Sequence, residues 1–129
     1  MSTEEIRGFI IDDDPNVLEL CQQRFPFYLF KAVADHKSAE SLIQSDELCH
    51  FIILDYKLGK SNGFNLISHI RKHRLNIPIL ILTAYSSKSV MIEAIDKKPD
   101  AFIEKPINFQ ELQDRIDTLT NKAFPENQK

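Results

Sequence analysis

Five short apolar runs, rich in β-branched residues, recur along the chain and predict the strands of one sheet. They span residues 6–11, 29–34, 50–54, 77–83 and 101–104. Three of these runs are almost continuously apolar, which is typical of strands covered on both faces, as in a parallel sheet.

Between the runs, apolar residues recur at helical spacing and predict five helices. The stripes are Val17, Leu20 and Cys21; Ala39, Leu42 and Ile43; Leu66, Ile67 and Ile70; Val90, Met91, Ala94 and Ile95; and Phe109, Leu112, Ile116 and Leu119. Asp14 followed by Pro15 predicts the start of the first helix, and Asn108 with Glu111 three residues later predicts the start of the last. Strict alternation of strands and helices predicts a (βα)5 fold of the α/β class, doubly wound, with helices on both faces of a five-stranded parallel sheet.

Length and composition fit one domain, and the presence of only two cysteines, Cys21 and Cys49, favours a reducing compartment over a disulfide framework. Of 129 residues, 43% are hydrophobic and 27% are charged, which is enough apolar material for a closed core. The net charge of −3 argues against direct nucleic-acid binding and against attachment to a membrane surface. The N-terminus is unlike a signal peptide, and no stretch approaches the ~18 apolar residues that span a bilayer. We expect a cytoplasmic protein with a domain over residues 1–122 and a polar tail over 123–129.

Acidic residues collect where two of the predicted strands end. Asp12 and Asp13 follow the first strand, and Asp55 follows the third. The crevice of a doubly wound sheet lies outside the carboxyl ends of its strands, so we expect these carboxylates to meet there. Three clustered carboxylates cannot all stay ionised without a counter-charge. Mg²⁺ fits best because it prefers oxygen ligands, and these strand ends lack the thiol and imidazole groups typical of zinc sites.

Two more polar side chains belong to the same predicted edge. Thr83 ends the fourth strand and Lys105 follows the fifth. A carboxylate flanked by Mg²⁺, an ammonium group and a hydroxyl is arranged to attack a phosphoryl group, because each partner neutralises or hydrogen-bonds its oxygens. On this interpretation Asp55 becomes an aspartyl phosphate.

Four stretches that contain these residues together resemble the receiver domain of response regulators in two-component signalling. They are FIIDDDPNV, IILDYKLGKSNGFNLI, ILILTAYSS and AFIEKPI, and the resemblance covers residues 5–122. It implies a flavodoxin-like receiver fold with strand order 2-1-3-4-5. It also implies a signalling phosphoacceptor, not an enzyme, which assists its own phosphorylation and dephosphorylation and controls an output.

The same resemblance implies a phosphodonor and a metal site. The donor is a histidine kinase or a histidine phosphotransfer protein, and the cofactor is Mg²⁺, with Mn²⁺ as a substitute. Asp12 and Asp13 match the acidic pair, with Asp13 a direct metal ligand and Asp12 acting mainly through water. Asp55 matches the phosphoacceptor and contributes to the metal site, and the backbone carbonyl of Lys57 completes the protein's metal ligands.

Further positions match the residues that respond to the phosphoryl group. Thr83 would bond it, Lys105 would pair with it, and Phe102 matches the aromatic switch position. Lys57 and Tyr85 match the variable pair that tunes hydrolysis. Because a bulky Tyr85 can obstruct the attacking water, we expect a comparatively long-lived phosphorylated form.

Three features of the backbone also bear on the comparison. The family's cis peptide bond would fall at Lys105-Pro106, and Gly63 matches the glycine that opens the third helix. Lys98 and Pro99 stand where the family often has glycine and alanine, so we expect this loop to differ.

The resemblance places partners on one face and leaves rival functions open. A downstream effector, or a second copy in a homodimer, would bind the face formed by the fourth helix, the fifth strand and the fifth helix.

The sequence leaves other functions open, and one alternative is a receiver-like binding module that acts without phosphorylation. Another is a phosphatase of the haloacid dehalogenase type, which also uses an acidic first strand, a threonine and a lysine. A flavodoxin is disfavoured because the first βα loop is acidic where a phosphate cradle is rich in serine, threonine and glycine.

One motif outside this scheme has metal-compatible spacing. His69 and His73 lie four residues apart on the predicted third helix. Such a pair more often belongs to a solvated helix face than to a metal site.

Overall fold

A parallel sheet with helices on both faces forms the structure, a computed structural model that describes residues 5–58, 61–74, 76–84, 92 and 96–124. In chain order the elements are β1 (Ile6–Ile11), α1 (Pro15–Arg24), β2 (Tyr28–Val33), α2 (His36–Gln44), β3 (Phe51–Asp55), β4 (Lys57–Leu58), β5 (Ser61–Asn62), α3 (Asn65–His73), β6 (Ile79–Thr83), β7 (Ala101–Glu104) and α4 (Phe109–Ala123).

The five longer strands form one sheet in the order β2-β1-β3-β6-β7, and every neighbouring pair is parallel. Counting only these strands gives the order 2-1-3-4-5, so the predicted fold class and topology are confirmed. The first and fifth strands have the predicted bounds, and the other three differ by one or two residues. The short strands β4 and β5 pair with each other as a separate antiparallel hairpin.

The central strand β3 explains why the strand sequences are almost continuously apolar. Ile52 and Leu54 pack with α2 and α3 on one face of the sheet, whereas Phe51 and Ile53 pack with α1 and α4 on the other. Successive side chains of a strand point to opposite faces, so a strand covered on both sides buries all of them. The whole of β3 is buried, including its last residue, Asp55.

The helices bury most of the predicted stripes. The stripes of α2 and α3 are buried as predicted, and in α4 Leu112 and Ile116 are fully buried. In α1 the prediction was wrong at Leu20, which is 42% exposed. The buried arc of α1 contains Val17 and Cys21 and turns towards Leu18, so Leu20 lies outside it. The predicted stripe of the fourth helix, Val90, Met91, Ala94 and Ile95, lies outside the described residues.

Several local features of the chain follow its sequence. Asp14 caps α1 with Pro15 at the first helical position, and the side chain of Asn108 caps α4. The Lys105-Pro106 peptide bond is cis, as expected. The described cysteines are both buried and free.

The last described residues extend the C-terminal helix and contact His50. Helix α4 ends at Ala123, and the ring of Phe124 lies 5.2 Å from that of His50, centroid to centroid. Among the described helices, none combines the length and the apolar character needed to cross a membrane.

Candidate functional site

Three carboxylates meet at the carboxyl edge of the sheet. One oxygen from each of Asp12, Asp13 and Asp55 lies within 4.8 Å of the other two. Asp12 follows β1 and Asp55 ends β3, and the register that pairs Ile11 with Leu54 brings the two aspartates to neighbouring positions. Asp12 and Asp55 are buried, whereas Asp13 is exposed. We call these three residues the acidic cluster.

Both carboxylate oxygens of Asp12 have partners within the protein. Oδ1 accepts a hydrogen bond of 2.9 Å from the backbone N–H of Asp14, and Oδ2 lies 3.2 Å from Nζ of Lys105. The carboxylate of Asp14 itself accepts from the backbone N–H of Asn16 at 2.9 Å. Asp14 is therefore the N-cap of α1, as predicted, and stands beside the acidic cluster without belonging to it.

Lys105 brings a positive charge to two of the carboxylates. Its Nζ lies 3.2 Å from Asp12 and 3.6 Å from Asp55. Burial lowers the pKa of Lys105, but the two carboxylates outweigh that effect, so its pKa is raised overall and the ammonium form is stabilised. The backbone N–H of Lys105 donates to the carbonyl of Thr83 at 2.7 Å, which ties the lysine to the end of β6.

The electrostatics of Asp55 show that one ammonium does not fully compensate the acidic cluster. Burial and, secondly, the charge of Asp12 raise the pKa of Asp55 to about 6, although Lys105 and the backbone N–H of Lys57 act in the opposite direction. A further cation at this edge would reduce the repulsion between the carboxylates. The donor atoms are carboxylate oxygens, the set that a hard divalent cation such as Mg²⁺ prefers. The residues present therefore fit a magnesium site.

The backbone that follows β3 is held close to the acidic cluster. The N–H of Lys57 donates to Oδ1 of Asp55 at 3.3 Å, and β4 and β5 then fold back as a hairpin. Gly63 closes this segment with a hydrogen bond from its N–H to the carbonyl of Tyr56. A Cβ at position 63 would lie 2.0 Å from the carbonyl oxygen of Asp55, so only glycine fits beside the strand end.

Sequence reasoning missed this hairpin and the contacts that stabilise it. Strands of two residues leave no detectable alternation, so the hydrophobic pattern did not indicate them. Oδ1 of Asn62 accepts from the backbone N–H of Phe64 at 2.8 Å, just before α3 begins. An asparagine three residues before the start of a helix, followed here by Gly63, is a signal that could have indicated this turn.

The predicted switch residues lie on adjacent strands. Thr83 is completely buried at the end of β6, and Phe102 of β7 stands opposite Ile81. Residues two apart on a strand share a face, so Phe102 lies on the same face of the sheet as Thr83. Its partly buried ring packs against the core shared with α2 and α3. Tyr85 lies outside the described residues.

A comparison with family models decides the assignment. The model of the response regulator receiver domain matches residues 9–117 of this chain. The chain belongs to this family. The resemblance seen in the sequence is thereby confirmed, and the match disfavours the flavodoxin and haloacid dehalogenase alternatives.

Relatives and solved structures agree with this assignment. Response regulator SaeR of Staphylococcus aureus is 28% identical over 115 residues, which are 88% of this chain and 50% of the relative. The chain thus spans about half the length of the curated relatives that it matches. The crystal structure of a CheY-like response regulator receiver domain protein from Methanospirillum hungatei has a TM-score of 0.86 at 25% identity, covering 95% of this chain and 99% of that one. The Francisella response regulator 1452 receiver domain has a TM-score of 0.80 at 25% identity, covering 92% and 98%.

Family membership establishes the general role. The chain is a receiver domain of a two-component system, and receiver domains of this family are signalling phosphoacceptors that bind Mg²⁺ at an acidic cluster.

Proposed function

We propose that this receiver domain accepts a phosphoryl group on Asp55 in a Mg²⁺-dependent reaction and that phosphorylation changes its conformation to control an output. The donor is a histidine kinase or a histidine phosphotransfer protein. One observation carries the proposal: the buried carboxylate of Asp55 lies beside two other carboxylates and 3.6 Å from the ammonium group of Lys105.

The proposed metal ligands are those that the family resemblance implies. Asp13, Asp55 and the backbone carbonyl of Lys57 would hold the ion directly, and Asp12 would act through water. Because both oxygens of Asp12 already have protein partners while Asp13 is exposed, this division suits the contacts. When bound, Mg²⁺ or Mn²⁺ supplies positive charge that offsets the carboxylates and the oxygens of the incoming phosphoryl group.

The residues of the chain have distinct parts in the transfer. An oxygen of Asp55 forms a bond to phosphorus while the bond from phosphorus to the donor's histidine nitrogen breaks. With a pKa of about 6, Asp55 is ionised at pH 7.5 and able to attack. Lys105 offsets charge on the phosphoryl oxygens, and the hydroxyl of Thr83 donates a hydrogen bond to them.

Thr83 and Phe102 would carry the change away from Asp55. Drawing the hydroxyl of Thr83 towards the phosphoryl group alters the packing at the end of β6, on the face that Phe102 covers. Phenylalanine has no hydroxyl group, so its switching depends on packing alone. In thermodynamic terms, phosphorylation shifts the populations of two conformations that already exist.

The output surface is a proposal by analogy with the family. It comprises β7, the C-terminal helix α4 and the segment predicted as the fourth helix, and it would bind an effector or a second copy of the chain. We retain the division into a domain over residues 1–122 and a polar tail, and a cytoplasmic location, as parts of this proposal.

The experiment that tests the proposal is phosphorylation by acetyl phosphate with Mg²⁺, followed by intact-mass measurement. We expect the parent to gain one phosphoryl group and Asp55→Asn to gain none. Asp14→Asn is the matched control, because asparagine also caps helices and Asp14 lies outside the acidic cluster. EDTA should abolish the reaction.

Two results would contradict the proposal in different ways. If Asp55→Asn takes up one phosphate at the parent's rate, Asp55 is not the acceptor. If the parent gains no phosphate from acetyl phosphate or from any histidine kinase, the domain acts as a binding module without phosphorylation.

The lifetime of the phosphorylated form provides a further test. Because Tyr85 is expected to obstruct the attacking water, Tyr85→Ala should lose its phosphoryl group faster than the parent. Decay of the phosphorylated species, followed by intact mass after removal of the donor, measures this rate. An unchanged or slower decay would refute the tuning role of Tyr85.

A further inference from the structure

Two histidines of α3 and a glutamine at the end of α2 form a small cluster of neighbouring side chains. His69 and His73 are four residues apart, and their ring centroids are separated by 4.6 Å. The rings are tilted by 58° to each other, so they are not stacked. The side-chain amide of Gln44, the last residue of α2, lies 3.1 Å from Nε2 of His69.

The distance between Gln44 and His69 suits two ligands of a single metal ion. Zinc lies about 2.0–2.1 Å from a histidine nitrogen, so two ligand atoms of a tetrahedral zinc are about 3.3 Å apart. The 3.1 Å between Gln44 and His69 is close to that separation. The oxygen and nitrogen of a glutamine amide exchange places by a simple flip, so an oxygen ligand can occupy the same position.

The helix dipole offsets part of the positive charge that basic residues bring to the end of α3. His73 is the last residue of α3, where the carbonyl groups carry the negative end of the helix dipole. Of the neighbouring arginines, Arg71 is paired with the carboxylate of Asp100 at 2.8 Å, whereas Arg74 donates to the neutral backbone carbonyl of Ile43 at 2.9 Å and keeps its positive charge. Lys72, which is exposed, adds a further positive charge that solvent screens.

This place is distinct from the acidic cluster. Helix α3 begins just after Gly63, beside Asp55, and runs away from that edge of the sheet. His73 is about 12 Å along the helix axis from its first residue, given a rise of about 1.5 Å per residue. The ligand chemistry also differs, because imidazole suits zinc, copper and nickel, whereas carboxylates suit magnesium.

We propose that His69, His73 and Gln44 form a binding site for a divalent cation of the zinc class. The two imidazoles are the principal ligands, the amide oxygen of Gln44 is a weak third ligand, and water completes the coordination. Binding links α2 to α3 and is independent of phosphorylation at Asp55. We call these three residues the histidine site.

Zinc titration tests the proposal, with binding measured by competition with a chromophoric chelator and the histidine ring signals followed by NMR. All proteins carry Asp13→Asn, which weakens cation binding at the acidic cluster. We expect one zinc site that shifts the signals of His69 and His73. The His73→Ala variant should bind at least ~10-fold more weakly, because one of two strong ligands is lost.

A second variant should strengthen the histidine site. Gln44→Glu places an anionic carboxylate where the amide stands, and zinc binds carboxylates better than amides, so we expect affinity at least ~10-fold higher. His36→Ala is the matched control, because His36 is also a helical histidine but lies next to Glu40 at the start of α2. It should bind zinc like the parent.

The outcomes separate this proposal from the proposed function. Zinc binding that His73→Ala leaves unchanged, or that Gln44→Glu fails to strengthen, would overturn the histidine site. So would the absence of zinc binding in the protein that carries Asp13→Asn alone. None of these results would affect phosphorylation of Asp55, which is measured without zinc.

Discussion

Replacing Asp55 by asparagine is expected to stabilise the domain at pH 7.5 when no divalent cation is present. Asp55 as a whole is only 6% exposed, and its carboxylate lies beside that of Asp12. Its compensating contacts are long, at 3.6 Å to Lys105 and 3.3 Å to the N–H of Lys57. Asparagine has nearly the same shape and can keep the bond from Lys57, but it carries no charge. The substitution therefore removes the cost of burying one carboxylate next to another.

The pKa of Asp55 sets the size of this effect. Folding raises it from 3.8 to about 6, with burial as the main cause and Asp12 as the second. A change of one in a pKa corresponds to about 1.4 kcal/mol, so the ionised carboxylate costs about 3 kcal/mol well above pH 6. Solvent reaches the site at Asp13 and Lys105 and screens part of the repulsion. We expect Asp55→Asn to raise the free energy of unfolding by roughly 1.5–3 kcal/mol.

The raised pKa of Asp55 also predicts how the stability of the parent changes with pH. Between about pH 4 and pH 6 the folded parent holds a proton on Asp55 that the unfolded chain has released. Stability contributed by this group therefore falls as the pH rises through that window. The gain in stability from Asp55→Asn should therefore be about a third as large at pH 4.5 as at pH 7.5.

Urea unfolding followed by circular dichroism in EDTA measures this difference at both pH values. Asp14→Asn, which keeps the helix cap, should match the parent at each pH within about 0.5 kcal/mol. A saturating concentration of Mg²⁺ should reduce or reverse the difference in free energy of unfolding between Asp55→Asn and the parent. The reason is that a ligand that binds the folded parent stabilises it. The reasoning is refuted if Asp55→Asn is no more stable than the parent at pH 7.5, or if its advantage does not shrink at pH 4.5.

Three further predictions concern the scaffold around the site. Lys98 has a φ of 55°, a conformation that disfavours side chains, so Lys98→Gly should raise the free energy of unfolding in urea by about 1 kcal/mol; a decrease would contradict this. Gly63→Ala should lower the free energy of unfolding by about 3 kcal/mol or more and slow acetyl phosphate labelling, because the new Cβ would meet the carbonyl of Asp55. Labelling at the parent's rate would contradict this predicted clash. Tyr28→Phe should cost about 1–2 kcal/mol by removing the 2.8 Å hydrogen bond to Asp117, and a double-mutant cycle with Asp117→Ala should show the coupling.

The main features of the fold could be predicted because hydrophobic periodicity and parallel topology constrain each other. The runs at 6–11 and 101–104 are strands with the predicted bounds, and Asp14 and Asn108 cap the helices they precede. Once the strands are parallel and alternate with helices, their carboxyl ends must share one edge. That geometry alone brought Asp12 and Asp55 together in the prediction, although they are 43 residues apart in the sequence.

Other features depend on contacts that no local pattern encodes. The exposure of Leu20 depends on how α1 rotates against the sheet, and a helical stripe defines that rotation only within about one residue. The hairpin after β3 is too short to show a period. The hydrogen bond from Tyr28 to Asp117 joins residues 89 positions apart, and neither residue signals it.

The sequence by itself determined the order of strands and helices, the edge where the acidic residues gather and the family to which the chain belongs. These follow from local propensity and from the few topologies open to alternating strands and helices. Only the tertiary structure decided how the site is held: both oxygens of Asp12 are occupied, the pKa of Asp55 is raised, and Gly63 stands against the backbone of Asp55. These properties depend on ångström-scale distances and on burial, which exist only after distant segments have packed together.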